Sequence, residues 1–342
     1  MSEMNRREWI AETAALAGVA GMAMNSSLSA QEPADPKPSD QVSQADAFEF
    51  GDAPEIQTIR GMPQGNLCGI ECSRVFLGGN LISGYMHSRD LLYVNALFRA
   101  YATEEKMIET LRIAEENGIN LVFETGGNFV RTYNDRYHGN MKFIPHLEVD
   151  ESKSDQELMD HVKAQVDTGA CALYTWGVST DQMMMGNRVD RIAKIVEQGK
   201  KSGLPVGVGS HSLQVPMACE REGIPCDFYV KTLHRDDYPS VTPKDQQVDF
   251  MWQGGAPGWY DNQWCIHPEE VIAFMQTVKK PWVAFKVLAA GAIAPETGFS
   301  YAFENGADFI AVGMLDFQIR GDAQIANQAV RNAQRRERPW MG

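Results

Sequence analysis

The sequence predicts a TIM (β/α)8 barrel, on two observations. Eight short apolar runs alternate with helix-patterned segments between Val75 and Arg336, the rhythm of parallel βαβ units in a barrel enlarged by insertions. The competing open doubly wound sheet needs a GxGxxG turn after the first run or a composition break marking a second domain, and the chain has neither.

Taken in order, residues 56–74 read as two short extended pieces around Met62-Pro63-Gln64-Gly65-Asn66, an N-terminal β-hairpin. Strand one is 75–79. A long segment, 80–102, precedes a helix over 103–118, which Thr103 caps and Gly118 stops. Strands two and three are 119–125 and 142–149, and the helix after them carries the capping box Ser154–Glu157. Strand four is 170–176, strand five 205–211 and strand six 227–234, with helices over 187–203 and Val215–Glu222 between them. A second long segment, 235–267, precedes a helix over 268–278. Residues 281–315 supply strands seven and eight around a turn at Gly291 and a helix over 295–305, and a final helix covers 323–336.

Both long segments follow strand C-termini, which places them on the catalytic face, where such loops form lids or substrate walls. The second holds Tyr238, Phe250, Trp252, Trp259, Tyr260 and Trp264 around a GGAPG run. Aromatic rings spaced by Gly, Asp and Gln suit stacking on sugar-like rings, or else pack on one another as an Ω-loop core.

Composition narrows the function classes. The 342 residues are 44% hydrophobic, enough for a large core, and the net charge of −14 excludes a nucleic-acid-binding face. The six cysteines form no framework and no CxxC, so a structural zinc site has no support. Cys68 and Cys72 are near enough in sequence to bridge, and Cys171 reads as a small buried apolar residue.

The first thirty residues read as a targeting segment. Arg6-Arg7, Trp9-Ile10, the mildly apolar run 14–24 and the small-residue stretch 26–30 resemble a twin-arginine signal, with Glu12 as a departure. The resemblance implies an exported, periplasmic or extracellular protein. The apolar run is too short and too rich in Ala and Gly for a stable membrane span. The domain organisation is then a signal over 1–30, an acidic Pro-rich linker over 31–54 and the barrel over 55–342.

In a barrel, polar residues at strand C-termini meet at one mouth. That rule gathers Asn80, Glu124, His146 with Glu148, Trp176 and His211 from strands one to five. Strand six adds Lys231 and His234, strand seven Lys286, and the glycine turns after strands seven and eight add Gly291 and Gly313. Each alone can be a core ion pair or a satisfied histidine. Seven ionisable groups from five strands at one mouth are costly to bury without use.

Two family resemblances bear on the chemistry. Strand six, DFYVKTL, and VAFKVLAAGAI with GADFIAVG from strands seven and eight resemble class I aldolases of the deoxyribose-phosphate aldolase type over about a quarter of the chain. The resemblance implies an imine-forming lysine at Lys231, tuned by Lys286, with Gly291 and Gly313 where such barrels bind phosphate. TLHRDD follows Lys231 in place of a small phosphate turn, and GMLDFQIRGDA after strand eight carries acid. Residues 56–84 and 105–127 resemble the N-terminal third of the aldo/keto reductase superfamily. That family's tetrad is not retained: its Asp is Glu124, its Tyr is Phe129, its Lys falls at His146–Glu148 and its His near Trp176. Hydride transfer from NADP then lacks its proton donor.

The combined expectation is an exported lyase acting on a small, sugar-derived carbonyl compound. Lys231, Lys286, Glu148 and Glu124 are its catalytic candidates, and Asn80, Trp176, His234, Trp259, Gly291 and Gly313 its substrate contacts. The alternatives are a sugar isomerase, epimerase or eliminase using a divalent metal on His146, Glu148 and His211, an aldo/keto-reductase-like oxidoreductase, and a non-catalytic sugar-binding barrel.

Overall fold

The hairpin comes first and differs from its expected form. β1 (Gln64–Leu67) and β2 (Ile70–Ser73) pair antiparallel, with Leu67 opposite Ile70. The turn is Cys68-Gly69, at φ 52 and 99, the double left-handed geometry that matches the twist of a two-residue hairpin. MPQGN therefore leads into β1 instead of forming the turn. Leu67 and Cys72 are fully buried in one cluster with Phe76, Phe228 and Phe309, so the hairpin plugs the N-terminal end of the barrel. Cys72 lies opposite Gly65, not Cys68, and all six cysteines are free thiols.

The computed structural model describes residues 61–89, 91–123, 127–249 and 263–342, all within a unit running from Ile56 to Gly342. The expected signal and linker, with Glu124 and Trp259, lie outside the described residues. The barrel strands are β3 (Val75–Gly78), β4 (Leu121–Phe123), β5 (Lys142–Ile144), β6 (His146–Leu147) and β7 (Leu173–Thr175). They continue with β8 (Val206–Ser210), β9 (Phe228–Thr232), β10 (Trp282–Phe285) and β11 (Phe309–Val312). They form one parallel sheet in the order β5-β4-β3-β11-β10-β9-β8-β7-β6.

The two ends of that order are halves of one strand. Pro145, which has no N–H to give the ladder, separates β5, paired with β4, from β6, paired with β7. Phe143 O accepts from Cys171 N at 3.1 Å and Leu147 O from Trp176 N at 2.8 Å, joining both halves to the same neighbour. Nine strand segments thus make an eight-stranded barrel.

Alternation sorts the core into two layers. Phe76, Phe123, Tyr174, Phe228 and Phe309 fill the lumen, while Leu77, Val122, Leu173, Tyr229 and Trp282 face the helices. Gly209 is required where it stands: a Cβ there would lie 2.3 Å from Thr175 O and 3.0 Å from the Tyr174 ring.

The helices are α1 (Gly79–Ile82), α2 (Leu92–Tyr101), α3 (Glu104–Glu116), α4 (Gly127–Tyr137), α5 (Asp155–Asp167) and α6 (Gly177–Met185). α7 (Val189–Lys200), α8 (Gln214–Glu222), α9 (Pro268–Thr277), α10 (Pro295–Glu304) and α11 (Asp316–Asn332) complete the ring. Both expected caps form: Thr103 Oγ1 accepts from Lys106 N, and Ser154 with Glu157 closes a capping box. α6 gave no periodic signal because the face it buries is mostly small and polar: Gly177, Ser179, Thr180 and Asp181, with Met183 its one large apolar member. α11 begins at Asp316, not Ala323, since the Gln318 side chain accepts from Leu315 N at 3.0 Å and closes the first turn. Among the described residues no helix is long and apolar enough to cross a membrane.

The C-terminal segment is tied to the foot of the barrel through Asp308, which is fully buried just before β11. Its carboxylate pairs with Arg336 at 2.8 Å and Arg338 at 2.7 Å, and accepts from Trp282 N and Met341 N.

Candidate active site at the barrel mouth

Lys286 follows the last residue of β10 with φ 62, a left-handed conformation that costs a non-glycine residue backbone energy and clusters at functional sites. The departure takes Lys286 out of strand alternation and onto a cleft of about 260 Å³ at the C-terminal ends of β3, β10 and β11. Its Nζ hydrogen-bonds His87 Nε2 and lies 4.0 Å above the Trp264 ring. Asn80 Nδ2 is 3.3 Å from the same His87 nitrogen. Two N–H donors converging on Nε2 make His87 the neutral imidazole with its proton on Nδ1. Gly291 and Gly313 both line the cleft, and a Cβ on facing Gly78 would come within 2.7 Å of Gly313 N.

A second group stands behind the Phe285 wall of the cleft. His211 follows β8, and its Nδ1 is 2.8 Å from the Asp181 carboxylate of α6. That carboxylate also accepts from His211 N at 2.9 Å and Ser212 N at 3.2 Å, so its orientation is over-determined. Burial pushes the Asp181 carboxyl up, opposed by those N–H groups and the Lys231 charge. Burial, with Lys286, Lys231 and His87, pushes His211 well down, so it is a neutral imidazole. An Nδ1–H bonded to a carboxylate leaves the basic lone pair on Nε2. The His211 ring tilts against Trp264 at 5.0 Å and against Phe285, which lines the cleft, at 5.2 Å.

Lys231, the expected imine former, does not reach the cleft. It shares parity with outward-facing Tyr229 and pairs with outward-facing Ala284, while inward-facing Phe228 and Val230 have the other parity. Its side chain is 1% exposed, and Nζ donates to Thr232 Oγ1 at 2.7 Å and Thr232 O at 3.0 Å. Burial lowers its pKa, opposed by Cys265, Asp181 and Asp249. Thr232 Oγ1 in turn reaches Trp264 O at 2.8 Å, so Lys231 supports the loop that carries Trp264.

His234, expected to touch substrate, is committed to backbone. Nδ1 donates to Arg235 O at 2.7 Å, and Nε2 accepts from Trp264 N at 3.0 Å and Cys265 N at 2.9 Å. Burial pushes its pKa down to about 4. The expected metal set does not assemble either: His146 stacks on Trp176 at 5.4 Å, Glu148 is half exposed beside Lys153 at 3.6 Å, and His211 is bound to Asp181. Among the described residues no three His, Cys, Asp or Glu side chains are placed to hold a metal ion. Trp176 forms its aromatic pair with His146 and is not among the residues lining the cleft.

Of the expected site residues, the structure brings Lys286, Asn80, Gly291 and Gly313 to the cleft, with His211 behind Phe285. Sequence reasoning passed over His87 and Asp181. His87 was discoverable as the histidine of the first long loop, whereas Asp181 lies in a helix that leaves no periodic trace.

No protein-family model and no curated protein matches the sequence. Solved structures do match its fold. A protein assigned as an aldo-keto reductase from Pseudomonas aeruginosa superposes with a TM-score of 0.52 at 14% identity, covering 81% of this chain and 99% of that one. An aldo-keto reductase from Bacillus halodurans, in its holo form, superposes with a TM-score of 0.50 at 11% identity, covering 80% and 96%. The likeness shows the fold, a TIM barrel with the N-terminal hairpin sheet beside it.

Proposed function

We propose that this barrel is an enzyme of the lyase class that forms an imine between Lys286 and a small carbonyl compound. The carrying observation is the setting of Lys286 Nζ, bonded to a neutral imidazole and seated over an indole face in a cleft. His87 Nε2 can take the ammonium proton, and the free amine then adds to the carbonyl carbon. The carbinolamine oxygen leaves as water, taking up a proton, and a cationic iminium remains over Trp264, whose ring face favours a cation. The hydroxyl on the β carbon gives up its proton as that carbon becomes a carbonyl and leaves, and the electron pair of the α–β bond passes into the iminium to give an enamine. A proton returned to the α carbon restores the iminium, and water hydrolyses it to the second carbonyl product and the free lysine. His87 Nε2, beside Lys286 in the cleft, can carry the proton between the β-hydroxyl and the α carbon, while the Asp181–His211 pair stands behind Phe285 and fixes that wall.

The test is borohydride trapping with acetaldehyde, followed by peptide mapping. The expected tag is on Lys286, absent in Lys286→Met and slowed in His87→Gln. A tag spread over surface lysines alone, or found on Lys231 in place of Lys286, sinks the proposal. The divalent-metal isomerase has less support here, because its expected ligands are dispersed among the described residues.

A further inference from the structure

We infer that the cleft selects an uncharged, largely apolar carbonyl compound, a short β-hydroxy aldehyde or ketone with aliphatic or aryl substituents, over phosphorylated, carboxylated or polyol substrates. The inference rests on the imine reading and narrows it.

Charge is the first argument. Among the described lining residues the one Lys or Arg is Lys286, and imine formation commits it to the carbonyl carbon. The rest of the wall includes Leu81, Met86, Phe123, Phe285 and Leu288. A carboxylate or phosphate entering there would lose its water and meet no cation among the described lining residues beyond the reacting lysine nitrogen itself.

A phosphate also lacks a place to dock. The cleft reaches Leu315 and Gln318 at the start of α11, and a helix N-terminus ordinarily favours an anion. Here Leu315 N is already bonded to Gln318 Oε1, and Asp316 places a carboxylate in the first turn. That carboxylate holds Lys106 at 3.0 Å and accepts from the Tyr101 hydroxyl, so the nearby charge is spent as well.

Hydrogen-bonding capacity and size complete the case. Of the polar lining side chains Asn80 gives an N–H to His87 and Gln318 its carbonyl oxygen to Leu315 N, so with Tyr85 the cleft offers few side-chain partners to a polyol, which needs one for each hydroxyl it brings out of water. At about 260 Å³ the cleft is smaller than the roughly 300–1,000 Å³ common for drug-sized ligands.

The experiment is cyanoborohydride trapping with butanal, benzaldehyde, glyceraldehyde, glyceraldehyde 3-phosphate and pyruvate, read by peptide mapping. Tagging of Lys286 is normalised to that of Lys163, whose side chain is 73% exposed, which removes the intrinsic reactivity of each carbonyl. Butanal and benzaldehyde are expected to exceed the other three by about tenfold or more, the scale of one unpaired buried polar group. Equal or preferential tagging by glyceraldehyde, its phosphate or pyruvate overturns the substrate class while leaving the imine intact. If none of the five tags Lys286 above Lys163, the imine reading itself fails.

Discussion

Replacing Asp308 with Asn tests what holds the foot of the barrel. The carboxylate is fully buried and faces four donors: Arg336 and Met341 N on Oδ1, and Arg338 and Trp282 N on Oδ2. Asn keeps one acceptor oxygen but turns an NH2 toward the other two donors and removes the counter-charge of two buried guanidinium groups. Burial already pushes Arg336 down to about 10, a sign of how poorly its charge is solvated. Both arginines retain backbone partners, Arg338 on Met275 O at 3.0 Å and Lys280 O at 2.7 Å, and Arg336 on Ala307 O. Those bonds hold the guanidinium groups in place and prevent their escape to water. Breaking such a pair costs about 3–5 kcal/mol, which for a domain of this size lowers Tm by about 6–20 °C. Urea unfolding at pH 7 should show a lower midpoint with an unchanged slope, and 1 M salt should alter the difference little because the pairs are buried. A loss below about 1 kcal/mol would falsify the network as a stabilising device.

His234 and Asp322 make opposite pH predictions. His234 titrates near 6.5 in the unfolded chain and about 4 in the fold, so its contribution is fully present above pH 6.5 and is lost as pH falls toward 4. The span is roughly 3 kcal/mol. Urea midpoints of His234→Gln between pH 7 and 4 should fall less steeply than those of the wild type, and parallel curves would reject the assignment. Burial, then Glu296, pushes Asp322 up to about 6, so the fold holds a proton that the unfolded chain gives up, and stability falls as pH rises from 3.8 to 6. Asp322→Asn should therefore be more stable above pH 6, by about 1–2 kcal/mol after allowing for solvent screening. A destabilised variant would show that the carboxylate has a partner it needs.

The periodic part of the fold was legible residue by residue. Thr103, Ser154 and Glu157 announced their helices by local bonding, and DFIAVG and WVAFKV announced their strands by unbroken apolar character. A helix that buries small and polar groups, such as Gly177–Met185, broadcasts no such pattern, and Asp181 was lost with it. Cys68-Gly69 hid a hairpin turn because Gly69 alone signals positive φ, while Cys68 gives no warning of its own. The interruption at Pro145 was visible, but that it divides one barrel strand into its two pairings depends on which strands flank it.

By itself the sequence determined the barrel and the presence of a lysine at the C-terminal end of strand seven, because both follow from local periodicity and strand order. It did not determine which lysine reaches the cleft. β9 is buried on both faces, so its alternation carries no mark of inside and outside, and only pairing with Ala284 showed that Lys231 faces the helices. Lys286 reaches the cleft through a left-handed backbone angle that no local propensity favours. Its partner His87 is 199 residues away in the chain, and closing the barrel is what brings the two together.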